Sequence, residues 1–243
     1  MKRLLAAYRC SIYQITKAFR KEEAGIRHNP EFSMLEWYRV GFDHIKLMEE
    51  VYELFCSIFG NVAQLHKSYN QLFREYLALD LETATIQKLA DCCLKNDIHL
   101  QDATLLTKDD FCNLLMSYII EPSLPKDKIV FVDNFPKTQA ALATINSKGY
   151  ADRFECYYQG YELANGYNEL TDPCEQLARF RTNNELRAKN KLPDMAIDTY
   201  LIAALEHGLP KCAGVAMGLD RVLMLKLGTK KIADVISFPW EIM

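Results

Sequence analysis

Between Phe19 and Tyr38 the chain reads FRKEEAGIRHNPEFSMLEWY, charged and aromatic side chains set between two stretches of β-forming residues. Alternate residues of a strand share a face, so Arg20 and Glu22 would point one way as the chain leaves the first stretch. Phe32, Glu36 and Tyr38 would do the same on the return, with Lys21, Arg27, His28 and Asn29 between. Guanidinium groups grip phosphate oxygens and an aromatic ring offers a stacking surface, so the set would suit a purine triphosphate. Taken alone, it also reads as a solvated charged loop. A second stretch, GYELANGYNELTD from Gly160 to Asp172, places Glu162 and Glu169 seven positions apart. A regular strand would send them to opposite faces. A bulge at Asn165-Gly166 would bring both to one side, where two carboxylates would hold Mg²⁺ through oxygen. An Asn-Gly hairpin turn with exposed glutamates is the other reading. In a third stretch, GVAMGLDRVLMLKLG from Gly214 to Gly228, small residues would let a ligand approach the backbone. Arg221 then opens a helix against its dipole and calls for an anionic partner; helix–sheet packing alone would also explain the glycines.

Positioning these residues needs strands. Ser11–Phe19 and Phe32–Val40 are rich in β-formers, and the connection from Arg20 to Glu31 is too long for a tight hairpin. Apolar residues at helical spacing predict a helix over Asp43–Ile58, with further helices near 69–77, 84–95 and 108–120. Ile129–Asn134 reads as a short buried strand, and Arg153–Leu170 as two strands broken at Gln159-Gly160. Helices over 172–190 and 196–207, a strand at Ala213–Met217 and a helix at Leu219–Leu227 complete the reading. Antiparallel strands with helices at the edges make an α+β domain, not a doubly wound parallel sheet. No phosphate-binding glycine loop of the GxxxxGK[ST] or GxGxxG type occurs.

Composition narrows the partners. The 243 residues are 49% hydrophobic and carry a net charge of −3 with a pI near 6.0, which argues against a large nucleic-acid surface and hence against tRNA. The sequence offers no membrane-spanning run. The eight scattered cysteines form no CxxC pair, and the vicinal Cys92 and Cys93 read as core thiols of a reduced, cytoplasmic protein.

Together and in this order, the three stretches resemble one family. The first is similar to motif 2 of the class II aminoacyl-tRNA synthetases and the third to their motif 3. The closing IADVISFPW resembles the end of the core in the lysine, aspartate and asparagine subgroup. HNPEFSMLEWY and ELANGYNELTD resemble the lysine enzymes and, among them, the short elongation factor P–lysine ligases, which lack the anticodon-binding domain. The resemblance covers essentially the whole chain and implies a six-stranded antiparallel sheet flanked by helices, with a helical insertion at about 60–125. It implies ATP-dependent activation of lysine or (R)-β-lysine with Mg²⁺, and transfer to a lysine side chain of elongation factor P. Arg20 would contact the α-phosphate, Glu22 the adenine amino group and Asn29 the nucleotide, with Lys21 beside them. His28 would lie by the outer phosphates, and Phe32 would stack on adenine. Glu162, through Mg²⁺, and Leu163 would line the ATP site. Gly218 would lie under the nucleotide, and Arg221 would cover the adenine and reach the γ-phosphate. Arg20 and Arg221 would be the catalytic pair. Tyr38 and Glu169 would grip the substrate amino groups, with Asn165 and Tyr167 near them, and Glu169 would join Glu162 at the metal.

The sequence departs from the lysyl-tRNA synthetase pattern at Ala216, where a glycine would stand between Gly214 and Gly218. Its methyl would reshape the amino-acid pocket, as in the ligases that prefer (R)-β-lysine. Met1 corresponds to an internal family position, so the chain would lack the family's motif 1, much of its homodimer interface and a substrate-binding Ser-Pro-Glu loop. A lysyl-tRNA synthetase catalytic fragment and a noncatalytic ATP-binding relative are the other readings.

Overall fold

The computed structural model describes residues 1–21, 24–100 and 106–240. The chain opens with α1 (Lys2–Tyr8), β1 (Ile12–Phe19), β2 (Glu31–Val40) and α2 (His44–Phe59). Next come β3 (Gln64–Ser68), α3 (Tyr69–Leu77), α4 (Ile86–Lys95) and α5 (Lys108–Leu115), then a π-helical turn at Met116–Ile120 and the short α6 (Glu121–Ser123). β4 (Ile129–Pro136), β5 (Tyr150–Tyr158) and β6 (Tyr161–Asn168) follow. The chain continues through α7 (Pro173–Lys189), α8 (Thr199–Gly208), β7 (Cys212–Gly218) and α9 (Leu219–Leu227).

The strands form one seven-stranded sheet in the order β1-β2-β7-β6-β5-β4-β3. Neighbours are antiparallel except β3 and β4, which run parallel. The α+β expectation holds, but the strand count needs correcting from six to seven. The added strand, β3, lies inside the stretch expected to be a helical insertion, so that stretch contributes an edge to the sheet itself. Its five residues, QLHKS, hold too few β-formers to announce a strand. Tertiary pairing with β4 makes it one.

Local signals place most boundaries. Asp43 caps α2 by accepting from Lys46 N at 2.8 Å, and Leu47, Met48, Val51 and Phe55 then recur on its buried face. Ser68 and Gln71 close a capping box on α3, and Asp172 with Pro173 starts α7. Gln159 and Gly160, at φ 53° and 81°, turn β5 into β6 in the left-handed conformation that tight hairpins require. All eight cysteines are free thiols, with Cys92 and Cys93 buried in α4.

The sheet's two faces are covered differently. One face is covered from β2 to β4: Trp37, Phe131, Phe154, Cys156, Val215 and Met217 pack with Leu47, Val51 and Phe55 of α2 and Val222 and Met224 of α9, while Tyr13 and Ile15 of β1 stay exposed beyond them. On the other, α3–α5 cover the β3-β4-β5 end through Phe73, Phe111, Leu115, Val130, Val132 and Tyr157. At the opposite end α1 and α8 cover Tyr38 and Cys212 with Leu5, Ala6, Leu205 and Leu209. Among the described residues, none of these helices covers the middle of that face, on β2, β7 and β6. It forms the floor of a cleft.

Candidate active site

The cleft encloses a cavity of about 300 Å³. Phe32 and Met34 of β2, Asn165 and Tyr167 of β6, and Ala216 and Gly218 of β7 line it. Strand register explains the grouping, since Met34 lies opposite Gly218, Glu36 opposite Ala216, and Ala216 opposite Asn165. Arg20, Arg27, His28 and Asn29 descend from the β1–β2 connection, and Arg221 rises from α9. Leu163 and Glu162 close the wall.

Each cation is held. β1 ends at Phe19, so Arg20 sits just past the strand, anchored by its N–H to Pro30 O at 2.9 Å, with its guanidinium 5.4 Å over the Phe32 ring. Glu22, expected on the same face, lies outside the described residues. Lys21 is described but does not line the cavity. Arg221 Nη1 donates to Glu162 O at 2.9 Å and its Nη2 to His28 Nε2 at 2.7 Å, which makes Nε2 the acceptor nitrogen. The partners of Arg221 at helix start are thus a carbonyl and an imidazole, with the Glu162 carboxylate near enough to feel its charge. Asn29 is committed to the backbone: its Nδ2 donates to Glu31 O at 2.6 Å and its Oδ1 accepts from Trp240 N at 2.9 Å. The C-terminal segment therefore straps the loop, aided by Ile232 N donating to Ile26 O at 2.9 Å.

The two expected glycine roles separate. A Cβ on Gly214 would fall 2.4 Å from the Tyr38 ring and 2.5 Å from Glu169 Oε1, so this glycine makes room for the protein's own side chains. A Cβ on Gly218 would meet nothing within 4 Å, and the residue opens onto the cavity.

Tyr38 and Glu169 lie at the α1/α8 end of the floor, both buried. Tyr38 Oη donates to Glu36 Oε1 at 2.5 Å, and Gln14 Nε2 donates to Glu36 Oε2 at 2.8 Å. Burial, then the charges of Glu169 and Glu36, push the Tyr38 hydroxyl far above its ordinary range, so it keeps its proton and offers a lone pair. Lys2 Nζ stands 2.5 Å from Glu169 Oε2.

At the other end, a cavity of about 180 Å³ lies behind Glu162, bounded by Glu121, Glu155, Arg153, Tyr157 and Tyr69. Glu155 accepts from Arg153 Nη2 at 2.5 Å, Tyr157 Oη at 2.5 Å and Asn165 Nδ2 at 3.1 Å. Burial and the neighbouring Glu155 charge raise the Glu162 carboxyl to about 7, and the same two causes raise Glu121.

The expected bulge exists, displaced. Asn165 and Gly166 pair regularly with Glu155 and Phe154, whereas Cys156 faces Ala164 and Tyr157 faces Glu162, leaving Leu163 as the extra residue. It does turn Glu162 to the face that carries Asn165 and Tyr167. It does not bring Glu162 to Glu169. At about 3.3 Å per residue, seven residues of strand span roughly 20 Å, too far for one cation to bridge. Glu155 is the carboxylate beside Glu162, and sequence reading missed it. The available signal was the same seven-residue spacing taken backwards, across the hairpin. Among the described residues no group of three or more His, Cys, Asp or Glu side chains is placed to hold a metal unaided.

Residues 1–241 match the family described as class II tRNA synthetases for D, K and N. The chain belongs to that family. Within the class II synthetases it is similar to proteins named elongation factor P–(R)-β-lysine ligase. That of Yersinia enterocolitica is 47% identical over 98% of this chain and 74% of its own length. That of Proteus mirabilis is 46% identical over the same shares, and that of Pectobacterium carotovorum 45% over 99% and 75%. No described helix of this class II chain is long and apolar enough to cross a membrane.

Proposed function

We propose that the chain is an ATP-dependent ligase that activates a lysine-type amino acid, favouring (R)-β-lysine, and transfers it to a side-chain amine of elongation factor P. The observation that carries this reading is the bipolar floor of the cleft. Arg20, His28 and Arg221 line one end together with Phe32, and the buried Glu169 carboxyl and Tyr38 phenol stand beyond the cavity lining at the other. A triphosphate fits the first and an ammonium the second, with Ala216 between them narrowing the floor. The names of the relatives support the substrate and the acceptor. The substrate carboxylate attacks the α-phosphorus and pyrophosphate leaves. The acceptor amine then attacks the acyl carbon and AMP leaves.

In this reading Phe32 stacks on adenine, Arg20 neutralises charge at the α-phosphate, and His28 and Arg221 face the outer phosphates. Glu155 and Glu162 are the residues that would hold Mg²⁺. The two carboxylates share one face of the β5–β6 hairpin, and their mutual charge, which raises the Glu162 carboxyl, suits a divalent cation that keeps other positions for phosphate oxygens; it would supply charge neutralisation of the phosphates. The test is ATP–pyrophosphate exchange with α-lysine and with (R)-β-lysine. Exchange favouring the β isomer, falling roughly 10²–10³-fold in Arg20→Ala, is the expected result. Exchange with neither amino acid, despite ATP binding, overturns the reading in favour of a noncatalytic ATP-binding protein.

A further inference from the structure

α1 has a place that the reading above does not explain. Leu5 and Ala6 bury against Leu205 of α8 and Leu209 just beyond it, Arg9 Nη1 donates to Gly208 O at 3.0 Å, and the Arg3 guanidinium lies 4.8 Å over the Tyr200 ring. So fixed, the helix drives Lys2 inward, its side chain 10% exposed, until Nζ reaches 2.5 Å from Glu169 Oε2, whose side chain is 2% exposed. The other oxygen, Oε1, hangs over the α-carbon of Gly214 beside the Tyr38 ring, on the face that carries Ala216 and Tyr167. The two oxygens thus have different neighbours, one paired with Lys2 and one lying against Gly214 on the sheet face that continues to Ala216.

We propose that Lys2 is a positioning residue of the substrate site: it clamps one oxygen of Glu169 so that the other is presented, as a carboxylate, to the ammonium of a cationic amino acid. The proposal rests on the assignment of Glu169 to that ammonium. Charge counting supports it. The groups facing Glu169 are Lys2 from α1, Glu36 and Tyr38 from β2, Tyr167 from β6 and Cys212 from β7. Tyr38 keeps its proton, and the Cys212 thiol is pushed up to about 12, so neither carries charge near neutral pH. Glu36 and Glu169 against Lys2 leave one net negative charge, which one substrate ammonium neutralises. Without Lys2 this buried carboxyl would feel only burial and the Glu36 charge, both of which favour its protonated form.

Calorimetric titration of the folded full chain with (R)-β-lysine and with α-lysine tests this, using Lys2→Met, Lys2→Arg and Glu169→Gln. Lys2→Met is expected to bind roughly ten-fold more weakly near neutral pH, with the deficit closing as the pH is raised and the carboxyl ionises without its partner. Lys2→Arg restores the charge and most of the affinity. A protonated-carboxyl infrared band near neutral pH should appear in Lys2→Met and vanish in Lys2→Met/Glu169→Gln. Affinity in Lys2→Met equal to or above that of the parent, a loss identical at every pH, or absence of the band each overturns the proposal. If Glu169→Gln binds as the parent does, the assignment of Glu169 falls and Lys2 with it. If Glu169→Gln fails while Lys2→Met does not, only the role of Lys2 falls.

Discussion

A single methyl group separates the two glycines of β7. Gly214→Ala should force Tyr38 and Glu169 apart, since its Cβ would fall within 2.5 Å of both. We expect a stability loss of about 1–3 kcal/mol from overpacking, seen in urea unfolding, together with weaker amino-acid binding. Gly218→Ala meets no protein atom and has an ordinary φ of −78°. It should unfold as the parent does yet bind ATP more weakly in equilibrium titration, because the methyl stands in the cavity. Sequence alone supplied both glycines but not their difference. Which space a missing side chain leaves open depends on what crosses above it, and Tyr38 reaches Gly214 only through the pairing of β2 with β7. The carboxylates teach a related lesson. A seven-residue spacing opens to roughly 20 Å along a strand, as between Glu162 and Glu169. Folded around Gln159-Gly160, the same spacing closes, and Glu155 comes beside Glu162.

At the level of elements, the cleft depends on one joint. Asp220, buried in the first turn of α9, accepts from Ser33 N of β2 at 2.6 Å, tying the helix that carries Arg221 to the strand that carries Phe32. Asp220→Ala leaves that N–H unpaired and removes an acid from a helix N-terminus, so stability should fall by about 1–3 kcal/mol. Asp220→Asn, which keeps an acceptor, should recover most of this in the same denaturation assay. The β1–β2 arm, the β5–β6 hairpin and the helices α2, α7 and α9 were legible because their periodicity and caps are local. β3 and the contact of α1 with the substrate end were not. Each follows from a partner distant in sequence, β4 for one and Glu169 for the other.

Over the whole molecule, the carboxyls of Glu121, Glu162 and Glu169 all sit above their ordinary range. A carboxyl raised in the folded state stabilises fully below its unfolded value, and that contribution is lost as pH rises through the folded one. For Glu162 the window runs from about 4.5 to about 7. Thermal melts of the ligand-free protein should therefore show Glu162→Gln matching the parent near the acid end and melting higher above about pH 7. Added Mg²⁺ should narrow that gap, since a cation at the site stabilises the charged form. A gap that is constant across pH would contradict the assignment.

The extra residue at Leu163 has a consequence for how such a cleft can arise. Because side chains alternate with period two, one inserted residue exchanges the faces of everything on its far side. Glu162 reaches the cleft through a change of chain length, not of residue type. Removing Leu163 would restore regular alternation and turn Glu162 to the opposite face from Asn165 and Tyr167, so the position of this carboxylate depends on one residue of chain length.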